Sequence, residues 1–468
     1  MNSTVSLKIT LATYDDKQPH LVSGRKTVYG SGFVFDLNNG LIATNSDNVE
    51  DSVSIIARLP KMGSRDLPVK LIRICPEKKI AVCQFQEYAD ILDRVDKKNL
   101  ASEFGDSMKM RLGDSVDLYS FTNNQKIKFN RSVITGFTNF NLKEIEDSYD
   151  RLPCCYEVDC QVETTGGPVF NHEGKVIGIV LSSVNNQTYI IPSRTFLAVY
   201  HGETKDIGTD NGPGIKMPTM GLAWSKTNKE IMKKQTGSSS TYGFYVRKLL
   251  PESCLDTLQK GDIIRRMDFI DKFWDTKGDF HLTGKNRTLV TVLFDRFGLT
   301  TSIGKLSNPD ELNEEKLKFD KIFTERKMDL NEIADIIPIG TDITVNLCRN
   351  AEWYKLTSQY IFSNNENKNV KNYLILAGII IDHKNTVKYV YPESYAGKSQ
   401  IIHEGQIIKS VVGYKSGFEI IEETNKIVSN LNDIRAVMAL KPDLFQITTT
   451  DDYTFIVEQS TIATEKYQ

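Results

Sequence analysis

The stretch "GSGFVFDLNNGLIATNSDNVED", Gly30 to Asp51, decides how the first half of this chain folds. Two short β-rich runs, "GSGFVFD" and "GLIATN", flank Asn38-Asn39-Gly40, residues that accept the backbone of a tight reversal. The same texture extends outward on both sides. "VSLKIT" precedes it, and "SVSIIARL", "VKLIRI", "KIAVCQF", "SVDLYSF", "SVITGF", "KVIGIVLSS" and "QTYIIP" follow, with a second turn signal at "NHEG". Alternation at period two, with hardly a helical stretch before residue 87, predicts an all-β barrel or sandwich; ten such runs are enough for two small barrels.

Between "SRTFLAVYHGE" and "MGLAW" the segment "TKDIGTDNGPGIKMP" is rich in Gly, Pro, Asp and Asn, and reads as a linker. Beyond it one order of events occurs twice. First come "TMGLAW", "YGFYVRKLLPES", "LQKGDIIRRMDF", "DLNEIADIIP" and "DITVNLCRN"; later come "LAGIIID", "TVKYVYPESYAGKS", "IHEGQIIKSVVG", "NLNDIRAVMAL" and "LFQITTTDDYTFIVE". Such repetition points to two small α/β modules of one kind. The first is interrupted by "SNPDELNEEKLKFDKIFTERK", whose i,i+4 Glu and Lys pairing predicts an exposed helix.

A chain of 468 residues divides into about three domains on length alone. Its 58 Lys plus Arg against 60 Asp plus Glu leave a net charge of -2, which argues against a nucleic-acid or anionic-membrane partner. The seven cysteines, Cys75, Cys83, Cys154, Cys155, Cys160, Cys254 and Cys348, show no CxxC and no Cys/His metal spacing, so no metal and no cofactor is expected. Their odd number fits free thiols in a reducing compartment. The start "MNSTVSLKITLATYDD" lacks a basic region followed by an apolar core, and no run approaches the ~20 apolar residues of a membrane span. These features predict a soluble, intracellular protein.

The blocks "YGSGFVFDLNNGLIATN", "PEKKIAVCQF", "LGDSVDLYSF", "SVITGF", "TTGGPVFNHEGKVIGI" and "YIIPS" together resemble the protease domain of the HtrA/Deg family. The resemblance implies a mostly β chain: a trypsin-like double β-barrel followed by two PDZ-like α/β modules, arranged as in the eukaryotic Deg branch. The expected organisation is a protease-like domain over 1-203, a linker over 204-217, a first PDZ-like module over 218-362 with its charged insertion around 272-327, and a divergent second module over 370-468. It also implies a homo-oligomer, a trimer or hexamer.

Acyl transfer on this fold needs a nucleophile, a base, an acid that orients the base, and oxyanion donors. The family's T-N-x-H-V-V appears as Thr44-Asn45-Ser46-Asp47-Asn48-Val49, so Asp47 stands at the histidine position. A carboxylate is too weak a base for a hydroxyl at neutral pH. The orienting acid is replaced by Lys79, which can face Asp47, and an ion pair between the two is expected. The nucleophile motif G-N-S-G-G-P appears as Glu163-Thr164-Thr165-Gly166-Gly167-Pro168. Thr165 keeps a hydroxyl without a base. Glu163 replaces an oxyanion-loop glycine, with Thr164 beside it, and its carboxylate would repel a developing oxyanion. None of His20, His172, His201, His281, His383 and His403 falls where the fold presents a base.

In the modules the resemblance assigns carboxylate-binding loops to Met220, Gly221 and Leu222, and to Leu376, Ala377, Gly378 and Ile379. Backbone N–H groups beside a small glycine converge on a terminal carboxylate while the next strand edge pairs with the peptide. The implied partners are therefore polypeptides or protein C-termini. The function expected is that of a catalytically inactive protease homologue used in polypeptide binding, scaffolding or assembly. The alternatives are an active endopeptidase using Thr165 with a non-standard base, and a purely structural oligomer subunit.

Overall fold

The computed structural model describes residues 3–11, 26–50, 52–86, 101–139, 154–202, 215, 218, 220–236, 243–249, 253–275, 280–281, 284–306, 319–323, 326–361, 373–376, 378–382, 384–392, 394–415, 419–421 and 442–458, with scattered positions from 424 to 437. Six strands close the first barrel in the order β1-β2-β3-β6-β5-β4: β1 (Thr4–Leu11), β2 (Lys26–Asp36), β3 (Leu41–Asn45), β4 (Ser52–Arg58), β5 (Leu67–Cys75) and β6 (Ile80–Phe85). The turn at 38–40 places Gly32 opposite Thr44 and Phe33 opposite Ala43. A Cβ on Gly32 would meet the Ala43 carbonyl oxygen at 2.9 Å, so the close approach of the two strands requires glycine there. Val5, Leu7, Ile9, Ile42, Val69 and Phe85 fill this barrel.

The second barrel has the order β10-β11-β12-β9-β8-β7, from β7 (Ser115–Phe121), β8 (Ile127–Asn139), β9 (Cys154–Asp159), β10 (Pro168–Phe170), β11 (Val176–Val184) and β12 (Gln187–Pro192). Leu118, Ile134, Val158, Val169 and Ile177 form its interior. A helix, Ser193–Tyr200, follows it. The chain is thus mostly β, as read from its alternation.

Beyond the barrels one sheet is built from β13 (Leu222–Ser225), β14 (Phe244–Leu249), β15 (Ile263–Asp271), β16 (Thr288–Phe294), β17 (Thr300–Leu306) and β18 (Phe319–Phe323), with β19 (Asp342–Arg349) and β20 (Glu352–Gln359) added through β15. The interruption is therefore not simply an exposed helix. Phe319 pairs with Leu306 and Lys321 with Gly304, extending the sheet, while 307–318 lies outside the described residues. An i,i+4 charge pair is worth only ~0.2–0.5 kcal/mol. Pairing the backbone of a whole strand to a sheet edge satisfies several donors and acceptors at once.

The Ser193–Tyr200 helix packs on the helix Leu330–Ile336, and one apolar cluster runs from Phe33 and Phe196 through Phe244, Trp274 and Ile333. The expected linker is partly docked: Ile215 is buried and its N–H donates to Ile74 O at 2.6 Å. The rest of the chain forms β21 (Tyr373–Leu376), β22 (Ile379–Asp382) and β23 (Val387–Val390) in one sheet, and β24 (Ile408–Lys415), β25 (Glu419–Ile420), β26 (Leu444–Thr449) and β27 (Thr454–Glu458) in another, around a core of its own.

Candidate active site

Asn45 ends β3 and caps a single turn, Ser46–Val49, by accepting the Asp47 N–H at 2.9 Å. Lys79 follows the 3-10 turn Pro76–Lys78 and is left-handed, with φ 57°. That backbone brings Lys79 O to Ser46 N at 3.2 Å, and Lys79 Nζ to Asp47 Oδ1 at 2.9 Å. Asp47 and Lys79 thus form the expected ion pair. With Asp47 half exposed, the pair is worth no more than ~1 kcal/mol.

Thr165 lies elsewhere in this network. Its hydroxyl donates to Asn48 Oδ1 at 2.9 Å, and its carbonyl accepts from Ser31 N at 2.8 Å and from Asn48 Nδ2 at 3.1 Å. Asn48 Nδ2 also reaches Thr44 Oγ1 at 3.3 Å. The amide fits because its neighbour is Gly30, where a Cβ would meet Asn48 Nδ2 at 2.7 Å. An amide oxygen orients the Thr165 hydroxyl but takes no proton from it at neutral pH.

The two glycines after Thr165 are fixed by packing. Gly166 has φ +87°, and a Cβ there would stand 2.3 Å from Ser31 O; one on Gly167 would stand 2.2 Å from Tyr119 O. Thr164 is buried, with Oγ1 2.6 Å from both Ser31 Oγ and Phe121 O. Glu163 is exposed and turned to the β7–β8 turn, accepting from Asn123 N at 3.4 Å and lying 3.9 Å from Lys128 Nζ. Its carboxylate therefore has cationic and amide partners of its own, which the expectation of oxyanion repulsion did not include.

Among the described residues no histidine bonds to Thr165. His172 faces Glu173, His281 lies 3.0 Å from Asp275, and His403 N donates to Gln406. His201 sits between the Tyr200 and Phe273 rings, and burial, aided by Lys272 and Arg73, pushes its pKa down to about 4. His20 and His383 lie outside the described residues. All seven cysteines are free; burial raises the pKa of Cys160, whose Sγ lies 3.9 Å from Thr188 Oγ1. No metal-ligating cluster occurs among the described residues.

Of the module loops, Met220 and Leu222 are buried and Gly221 has φ +56°; a Cβ there would meet Ser253 Cα at 2.7 Å. Ser253 Oγ donates to Met220 O at 2.6 Å. Leu376 and Ile379 are fully buried and face each other across a hairpin at Gly378, φ 78°; Ala377 lies outside the described residues.

Residues 30–179 match the trypsin-like peptidase domain. The "Probable periplasmic serine endoprotease DegP-like" of Pseudomonas putida (strain W619) is 26% identical over 250 residues, covering 51% of this chain and 47% of its own length. That of Marinomonas sp. (strain MWYL1) is 25% identical over 256 residues, covering 52% and 48%. Over that half the chain is similar to HtrA/Deg proteins. It spans about half the length of the HtrA/Deg relatives it matches. Among solved structures, the HtrA-type protease AlgW with decapeptide is 15% identical, covering 78% of this chain and 97% of that chain at a TM-score of 0.45; with tripeptide the values are 16%, 78%, 95% and 0.46.

Two features of the site and its surroundings were not found from sequence. Asn48 stands where T-N-x-H-V-V has a valine, a departure that was passed over because its role depends on Gly30 and Thr165 arriving beside it. The second is the junction between barrels and first module. Lys78 pairs with Asp335, which also accepts Cys154 N at 2.9 Å, and Arg194 pairs with Asp271 beneath the rings of Phe273 and Trp274, 4.8 and 4.6 Å away. Trp274 Nε1 donates to Asp106 Oδ2 at 2.9 Å. All four charged partners are buried. No helix among the described residues is long and apolar enough to cross a membrane.

Proposed function

We propose that this HtrA/Deg chain is a catalytically inactive protease homologue that binds and positions polypeptides. The observation that carries the reading is the bond from Thr165 Oγ1 to Asn48 Oδ1 at 2.9 Å. The hydroxyl at the nucleophile position is held by an amide, and the carboxylate at the base position is held by Lys79. Losing one essential triad member costs about 10⁴–10⁶ in turnover, and three positions differ here.

Polypeptide binding is supported by the first module. Among the described residues β13 pairs with β14 and has no strand on its other edge, and left-handed Gly221 precedes it. An extended segment ending near Gly221 is the partner such an edge takes. Assembly into a homo-oligomer belongs to the same reading, by resemblance. The free cysteines support a reducing compartment, whereas the relatives above are named periplasmic.

The test is a casein and fluorogenic-peptide assay of the full chain beside Thr165→Ala. Equal background rates are expected. Cleavage that disappears in Thr165→Ala would establish a threonine peptidase and end the proposal. Polypeptide binding is read separately, by titrating a labelled C-terminal peptide library against wild type and Gly221→Val.

A further inference from the structure

In the sequence one order of events occurs twice, with "MGLAW" matched to "LAGIIID", so the edges that follow Gly221 and Gly378 can be set side by side. In the first, β13 follows Gly221 and pairs with β14, Leu222 opposite Leu249. In the second, β22 follows Gly378 and pairs with β23, Ile379 opposite Val390. The other edge of β13 carries no strand among the described residues. The other edge of β22 is taken by β21, with Leu376 opposite Ile379, Leu374 opposite Ile381 and Tyr373 opposite Asp382.

We propose that β21 is a built-in strand ligand, which closes the second module to the extended polypeptides that the first module's edge can accept. This rests on reading the two edges as polypeptide sites. Direction supports it: β21 runs antiparallel to β22 and ends at the Gly378 corner, where an added chain would also end. Burial supports it as well, since Leu376 is fully buried in one cluster with Ile379, Ile381, Val387 and Ile434. A strand with neighbours on both sides offers no free row of backbone donors and acceptors to a third. Because β21 is tethered through so short a connection, a free peptide must compete with an effective concentration of millimolar order. The segment accepted once β21 leaves is extended and ends in an apolar residue, as β21 ends in Leu376.

The experiment is hydrogen exchange on the full chain with and without the synthetic peptide NVKNYLIL, the sequence of residues 369–376. In wild type the amides of Ile379–Asp382 are protected, and peptide at about 1 mM leaves them unchanged. In Ile375→Pro their exchange rises at least about tenfold and the peptide restores protection. Protection of β26 reports that the module is folded; if Ile375→Pro loses it, Leu374→Ala is read instead, with a several-fold rise in exchange at β22 that the peptide reverses. The proposal is overturned if wild-type β22 exchanges as fast as the variant, if wild-type β22 gains protection from the peptide, or if a folded variant gains none. Responses at Leu222–Ser225 bear on the first module alone, so failure of the proposed function and failure of this inference are distinguishable.

Discussion

The hydroxyl of Thr165 and the amide of Asn48 are 2.9 Å apart, joined across 117 residues of sequence, with Asn48 returning a bond of 3.1 Å to the Thr165 carbonyl. One side chain on the first barrel thereby pins the loop of the second. Asn48→Ala removes both bonds and the one to Thr44. A loss of about 1–3 kcal/mol in urea unfolding is expected, with no gain of peptidase activity.

Restoring the triad types alone is expected to fail. In Asp47→His/Lys79→Asp/Thr165→Ser, Asn48 still accepts the hydroxyl at position 165, so the new imidazole competes for that proton. Adding Asn48→Val frees it. The quadruple variant is expected to cleave a fluorogenic peptide at least about tenfold faster than the triple, since base and nucleophile must share a hydrogen bond.

Gly166→Ala places a methyl group against Ser31 O in a backbone with φ +87°. Overpacking and left-handed strain together cost about 3–5 kcal/mol. A lowered unfolding midpoint or loss of soluble expression measures it, and comparison with Gly174→Ala, which has φ +75° but no atom near the added Cβ, separates the overpacking from the strain.

Lys78 and Asp335 are both buried, and Lys78→Met leaves the carboxylate uncompensated. A loss of about 3–5 kcal/mol is expected, larger than for Lys78→Met/Asp335→Leu, which leaves only the Cys154 N–H without its acceptor. Burial by itself lowers the Lys78 pKa, but the charge and hydrogen bond of Asp335 prevail and raise it above 10.5. The pair's contribution is therefore fully present below pH 10.5 and lost only as pH rises through the higher folded value. Unfolding midpoints followed from pH 7 into strong alkali check it.

His201 titrates in the opposite sense. Its folded pKa is depressed from 6.5 to about 4 by burial first, then by Lys272 and Arg73. The unfolded chain binds the proton more readily, so the contribution is present above pH 6.5 and lost as pH falls toward 4. His201→Phe, between the same rings, is expected to flatten the stability slope in that window, read by denaturant unfolding at several pH values.

The period-two runs and the Asn38-Asn39-Gly40 turn made the two barrels legible, because strand alternation and turn chemistry are written within a few residues of one another. The order of blocks also marked Asp47, Lys79 and Thr165 as the positions to inspect. The end of the insertion, Phe319–Phe323, is strand and not helix, because charge spacing along a helix is a weak local signal and pairing of Phe319 with Leu306 is a tertiary one; 307–318 lies outside the described residues.

By itself, then, the sequence determined the mostly β texture of the two barrels and the absence of a histidine at position 47. Only the tertiary structure decided that Thr165 meets Asn48, that Lys78 and Lys79 reach in different directions to Asp335 and Asp47, and that β21 pairs with β22 while, among the described residues, the outer edge of β13 carries no strand. The physical reason is that backbone periodicity follows from neighbouring residues. Which side chains share a hydrogen bond is fixed instead by register and by how segments approach one another, 32 residues apart for Lys79 and Asp47, 117 for Thr165 and Asn48 and 257 for Lys78 and Asp335.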